Sequence, residues 1–197
     1  MQNKITFTKA DILQTIEFTA WDLVQVKNDL GMISAIRELR KSKPIKQSYS
    51  HLLWRLERSL ETSCVVTLSK LFDNKGECLT KLFNQIENLK VDDEEIDFKR
   101  YKKFVKNIPK FQKVVKIIEA ELNPLRNVFR AHNFPYRFKN FMGPEFSLMY
   151  MKRWTHVGDS IYAEIEKLLK VRFRVRPLCD RESGLELKKF IRAVLGS

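Results

Sequence analysis

The chain has 197 residues, enough for one sizeable domain and too few for two comfortable ones. Hydrophobic content of 44% beside 31% charged residues is that of a folded protein, and six glycines and six prolines exclude long linkers and low-complexity tracts. Lys+Arg total 37 against 24 Asp+Glu, a net charge of +13 that recruits polyanions, nucleic acid first among them; a merely solvated surface is the plainer alternative. No stretch approaches the ~18 uncharged apolar residues of a membrane span. The N-terminus lacks the basic-then-apolar pattern of a signal peptide. Cys64, Cys78 and Cys179 have neither metal-ligand nor redox spacing, a usage that suits a reducing cytoplasm.

Helical periodicity runs almost throughout, so the predicted class is all-α, a single domain over 1–197. Thr8 caps a predicted helix from about Lys9 to Arg40, with Ile12, Ile16, Trp21, Val24, Ile33 and Ile36 as candidate core and Gly31 as a point of interruption. Pro44 marks a connection. A second helix is predicted over Gln47–Phe72, with Tyr49, Leu53, Leu56, Leu60, Cys64 and Leu71 inward. Asp73-Asn74-Lys75-Gly76 is a turn signal, and a short helix near Leu79–Leu89 follows. The acidic run Asp92-Asp93-Glu94-Glu95 then complements the N-terminal dipole of the next helix.

That next segment is the most regular. Phe104, Ile108, Phe111, Val115, Ile118, Leu122, Leu125 and Phe129 recur at steps of 4, 3, 4, 3, 4, 3 and 4. Such a seam belongs to a helix packed nearly parallel to its neighbours. Its register survives Pro109 and Pro124, which predicts one long kinked helix or collinear pieces. The next seam position is His132, and Asn133-Phe134-Pro135 ends the helix. Lys99, Lys102, Lys103, Lys106, Lys110 and Lys113 share roughly a third of the circumference at ~100° per residue. This face is either the solvated side of the helix or a track for a phosphate backbone leading toward His132.

Beyond Gly143-Pro144, a helix is predicted from about Glu145 to Lys170, with Tyr150, Trp154, Val157, Ile161 and Leu168 inward. Val171 to Pro177 alternates apolar residue and arginine, predicting a short strand or extended segment near 171–176. Arg172 and Arg174 there either grip phosphate or cover a helix with their stems. A last helix, roughly Leu185–Leu195, closes the chain.

Serine elbows, glycine-rich phosphate loops, zinc spacings and HExxH pairs are absent from the sequence, and no cofactor or metal is predicted. His51 and His156 have no acid or nucleophile at a telling offset. One segment, Leu125-Arg126-Asn127-Val128-Phe129-Arg130-Ala131-His132, joins a phosphate-holding arginine to a histidine that can move a proton near neutral pH. Arg126 and His132 lie about 120° apart on a regular helix, so one chain makes a loose pair. Two copies on a two-fold axis bring both pairs into one cleft, which predicts a homodimer.

The same segment resembles the HEPN superfamily, the small α-helical domains of prokaryotic defence and toxin systems. The hallmark of that superfamily is an arginine, a polar residue, and a histidine after four to six intervening positions; Arg126, Asn127 and His132 match it with five. Leu56-Glu57-Arg58-Ser59-Leu60 through Leu68-Ser69-Lys70-Leu71-Phe72-Asp73 is similar to the AbiU-like abortive-infection branch, so the resemblance covers roughly residues 10–170. Asn133-Phe134 departs from the usual polar pair after the histidine, and the Arg-alternating tail lies outside the match.

The resemblance implies an up-and-down helical bundle in the prokaryotic cytoplasm, and a metal-independent, dimeric endoribonuclease acting as a toxin or antiviral effector. An antitoxin or a nucleotidyltransferase protein is the implied partner. In this chemistry a ribose 2′-hydroxyl attacks the adjacent phosphate. His132 moves the proton, Arg126 stabilises the pentacoordinate phosphate and Asn127 orients either group. Arg130 adds phosphate contact, and Lys103, Lys106, Lys110, Lys113, Arg172 and Arg174 are the candidate substrate-binding residues. Two other readings stand beside this one: a non-catalytic HEPN-like RNA- or nucleotide-binding protein, and a helical module whose basic face meets an acidic protein.

Overall fold

A computed structural model describes residues 6–42, 47–90, 96–130 and 144–171, together with residue 189. Five helices are found among these residues: α1 (Lys9–Ser42), α2 (Gln47–Phe72), α3 (Leu79–Glu87), α4 (Phe98–Arg130) and α5 (Pro144–Leu169). The described chain is all-helical apart from an isolated bridge between Phe7 and Leu89. The strand expected near 171–176 and the helix expected over 185–195 lie outside the described residues, save Val171 and Lys189. No described helix is long and apolar enough to cross a membrane.

The start of α1 follows from its first residues. The Thr8 backbone N–H donates to the Asp11 carboxylate at 2.7 Å while the Asp11 N–H donates back to Thr8 Oγ1 at 3.3 Å, a reciprocal cap. The helix then runs unbroken through Gly31, which is buried. Its inward seam is Ile12, Ile16, Thr19, Leu23, Val26, Leu30 and Ile33, all buried. Trp21, expected in the core, is 55% exposed. At ~100° per residue it lies half a turn from Ile12 and Leu30, so the seam and not its size decides its side.

α2 runs antiparallel to α1, with Cys64 Sγ donating to the Val26 carbonyl at 3.8 Å and Arg37 reaching Glu57 and Glu61. Leu56 was expected inward but stands exposed, and Glu57 takes the buried position beside it. α5 is antiparallel to α1 on its other flank, tied by a Lys27–Asp159 ion pair of 2.6 Å. Gly158 permits this approach, since a Cβ there would lie 3.2 Å from Leu23 Cδ1.

α4 is a single helix across both prolines. Phe104, Ile108, Val115, Ile118, Leu122 and Leu125 are buried, and Phe111 is half-buried, so the seam faces the core as its spacing predicted. Six such side chains at ~1.5–3 kcal/mol each outweigh two helix prolines at about 3 kcal/mol each. Pro109 and Pro124 are themselves exposed, which leaves the helix a wet side where water can take the carbonyls they free.

The start of α4 is pinned beside the end of α5 by the Asp97 N–H donating to the Leu168 carbonyl at 3.1 Å. Further along, the buried Trp154 donates through Nε1 to Glu121 at 2.8 Å. The short α3 inserts Phe83 against Phe104 and Phe111, with ring centroids 6.4 and 5.9 Å apart.

Candidate active site

Arg126 lies four residues before the end of α4, one step past the buried Leu125. That position leaves its side chain 25% exposed, at the boundary between core and solvent. Its Nη1 donates to Asp73 Oδ2 at 3.3 Å, and Asp73 is itself 27% exposed. Asp73 is the first residue beyond α2, so the contact joins the end of α2 to the C-terminal half of α4. α4 therefore does not run alongside α2 in full antiparallel register. Arg126 Nε is buried without a hydrogen-bond partner. One long contact to one carboxylate leaves most of the five-donor fork uncommitted to Asp73.

Asn127, the next residue, is exposed. Arg130 closes α4, but its side chain lies outside the described part of the chain, as does His132 as a whole. Arg172 and Arg174 are likewise outside it. The structure thus brings Arg126, Asn127 and a residue not singled out, Asp73, to one end of α4. Lys103, Lys106, Lys110 and Lys113 are all exposed, as are Lys99 and Lys102. The basic face keeps its predicted place on the solvent side of α4, and past Lys113 it turns apolar at Val114 (39% exposed) and Ile117 (51%). His51 and His156 are exposed on α2 and α5.

In the sequence Asp73 is marked as the first residue of a turn signal and as the end of the Leu71-Phe72-Asp73 run. Its partnership with a residue 53 positions away is tertiary information.

A second set of charges also escaped the sequence. Arg37 donates from Nε to Glu57 at 2.7 Å and from Nη2 to Glu61 at 2.8 Å. Arg40 adds a bond to Glu57 at 2.9 Å and Arg58 one to Glu61 at 2.7 Å. Both carboxylates are buried, Glu61 to 1%. Burial pushes the Glu61 carboxyl above the usual carboxylate range, against the pull of Arg58 and Arg37. An open cavity of about 670 Å³ borders this network, lined by Ser34, Arg37, Arg40, Glu57 and Leu148 among others.

A third feature lies at the other end of α4. A cavity of about 350 Å³ is bounded by Asp97, Lys99, Arg100, Lys103, Phe104, Asn107, Phe111 and Glu164. Asp97 caps the helix there, accepting from the Arg100 N–H at 3.1 Å and from Arg100 Nε at 3.0 Å. The Arg100 backbone N–H holds the Asp97 carboxyl below its usual range.

Comparison of the chain with protein-family models, with curated proteins and with solved structures finds no match.

Proposed function

We propose that this protein is a metal-independent endoribonuclease of the HEPN type, a toxin or antiviral effector of the prokaryotic cytoplasm that works as a homodimer. The observation that carries the reading is the placement of Arg126: half-sheltered, steadied by Asp73 on one nitrogen, and followed by an exposed amide at Asn127. A guanidinium held this way is pre-oriented and still has donors for a phosphate whose charge grows in the transition state.

In this mechanism His132 takes the proton of the ribose 2′-hydroxyl as it attacks the neighbouring phosphorus. The P–O5′ bond breaks, the protonated His132 gives its proton to the departing 5′-oxygen, and a 2′,3′-cyclic phosphate remains on the upstream fragment. Arg126 neutralises the pentacoordinate phosphate, Asn127 orients the reacting groups and Arg130 adds a phosphate contact. The lysines from Lys103 to Lys113 carry the strand toward the site. DNA, without the 2′-hydroxyl, is spared. The apolar turn of the exposed face at Val114 and Ile117 supports a dimer in which α4 meets its copy. The HEPN resemblance, and not any feature of the fold, is what points to an antitoxin or a nucleotidyltransferase as a partner class.

Purified protein should cleave RNA in excess chelator, and Arg126→Ala and His132→Ala should each abolish most of that activity. Cleavage that survives both substitutions overturns the assignment. Light scattering should give a dimer, and a monomer at assay concentration removes the shared site.

A further inference from the structure

The cavity at the start of α4 has a lining that sorts by chemistry. Lys99 and Lys103 contribute exposed cations from α4. Phe104, 5% exposed, and the half-buried Phe111 supply the apolar part of the lining, their rings 5.3 Å apart and tilted by 41°. Asn107 offers an amide with both donors and an acceptor. α5 contributes the Glu164 carboxylate, which accepts from Lys167 through Oε1 at 2.9 Å; that bond, with the nearby charges of Lys103 and Arg100, holds its carboxyl below the usual range. Asp97 is committed to Arg100.

A bare anion is a poor occupant, because Glu164 shares the lining. An apolar ligand is a poor occupant, because only the two phenylalanines suit it. The set of groups fits a ligand that combines an anion, a flat ring and a hydrogen-bond donor. A nucleotide whose base bears an exocyclic amino group has all three. Phosphate meets Lys99 and Lys103, the base lies against the two phenylalanines beside Asn107, and the amino group donates to Glu164. The volume stands near the small end of the ~300–1,000 Å³ range of small-molecule sites, the scale of one nucleotide.

We propose that this cavity is a nucleotide-binding site selective for amino-bearing bases over uracil. Lys103 stands 23 residues before Arg126, about 35 Å along α4 at ~1.5 Å per residue. A strand of several nucleotides laid over Lys106, Lys110 and Lys113 spans that distance. That the bound nucleotide belongs to an RNA strand rests on the ribonuclease reading above; that the cavity takes a nucleotide does not.

The test measures equilibrium binding, with no cleavage involved. Calorimetry with the full chain uses AMP, CMP, GMP, UMP and inorganic phosphate, together with a short 2′-O-methyl oligoadenylate that cannot be cut. AMP should bind saturably, UMP about fivefold more weakly and phosphate alone more weakly still. Lys103→Glu and Asn107→Ala should lower AMP affinity, the former about tenfold or more, with unchanged thermal unfolding. Glu164→Ala should erase the preference over UMP. Equal loss for the oligonucleotide identifies a strand subsite, and loss for the mononucleotide alone identifies a free nucleotide as ligand. No saturable nucleotide binding, indifference to these substitutions, or equal binding of phosphate and AMP overturns the proposal. Because Arg126 and His132 are untouched, failure here leaves the ribonuclease reading standing, and the reverse also holds.

Discussion

Among the described residues, the arginine–carboxylate cluster between α1 and α2 and the one at Arg126 are built to different standards. Between α1 and α2, Arg37 donates to two carboxylates at 2.7 and 2.8 Å, and Arg40 and Arg58 complete the set. Arg37 is 16% exposed and its partners 7% and 1%. At the end of α2, Arg126 reaches Asp73 through one nitrogen at 3.3 Å, and both are about one-quarter exposed. The first cluster is the more closed: Arg37 and both carboxylates are spent on one another across two helices, while Arg40 keeps an edge in solvent. The second is open, and its guanidinium retains donors and access to solvent. A saturated arginine holds a fold together, whereas a half-satisfied one at a helix end can bind something else.

Removing one side of the closed cluster should have the largest effect. Glu61→Ala leaves Arg37 on Glu57 alone and takes the carboxylate from Arg58, and it should cost about 3 kcal/mol of stability, measured by urea unfolding. A loss nearer the ~0.2–1 kcal/mol of exposed pairs would erase the contrast. Arg126→Lys keeps the charge at the open cluster but loses the planar fork. It should lower RNA cleavage about 10²-fold with little change in unfolding. If it destabilises the chain as much as Glu61→Ala does, Arg126 is structural and the two clusters are alike.

Asp73→Asn should act more gently, because an acceptor remains and the pair is partly solvated. Up to about fivefold loss of cleavage is expected, with substrate binding preserved. A larger loss than that of Arg126→Lys would make Asp73 more than a support for the arginine. The smallest effect belongs to Asp97 and Arg100, an exposed pair that sets the baseline for both clusters. The carboxyl of Asp97 is held below its ordinary value of 3.8, so its contribution is present above that pH and is lost as pH falls through the lowered value. The thermal-stability gap between the native chain and Asp97→Ala should therefore hold at neutral pH and narrow in acid. A gap that widens in acid contradicts the cap.

The seam of α4 was legible because its cause is local. Apolar residues at steps of three and four share one side of any α-helix, and six of them from Phe104 to Leu125 are buried accordingly. The bounds of α2 and the Thr8 cap of α1 were readable for the same reason. Trp21 and Leu56 are large and apolar yet exposed, because angular position on the helix and not size decides the side. Glu57 and Glu61 were passed over because a carboxylate is ordinarily outside, and only its partners make it otherwise. Those partners stand 20 and 24 positions from Arg37.

By itself, local pattern in the sequence is enough for the all-helical build of the described chain, the face that α4 buries, most of the buried faces of α1, α2 and α5, and the solvent side of the lysines on α4. The sequence also singles out Arg126 and Asn127 as chemically distinctive. Only the tertiary structure decided that Arg126 rests on Asp73, that three arginines close on two buried glutamates, and that Glu164 of α5 completes a cavity begun by Lys99 and Lys103 of α4. Periodicity acts along one helix over a few residues, so a single sequence expresses it. Pairing of charges depends on which helices meet and at what height, and that is set by the summed packing of the whole core.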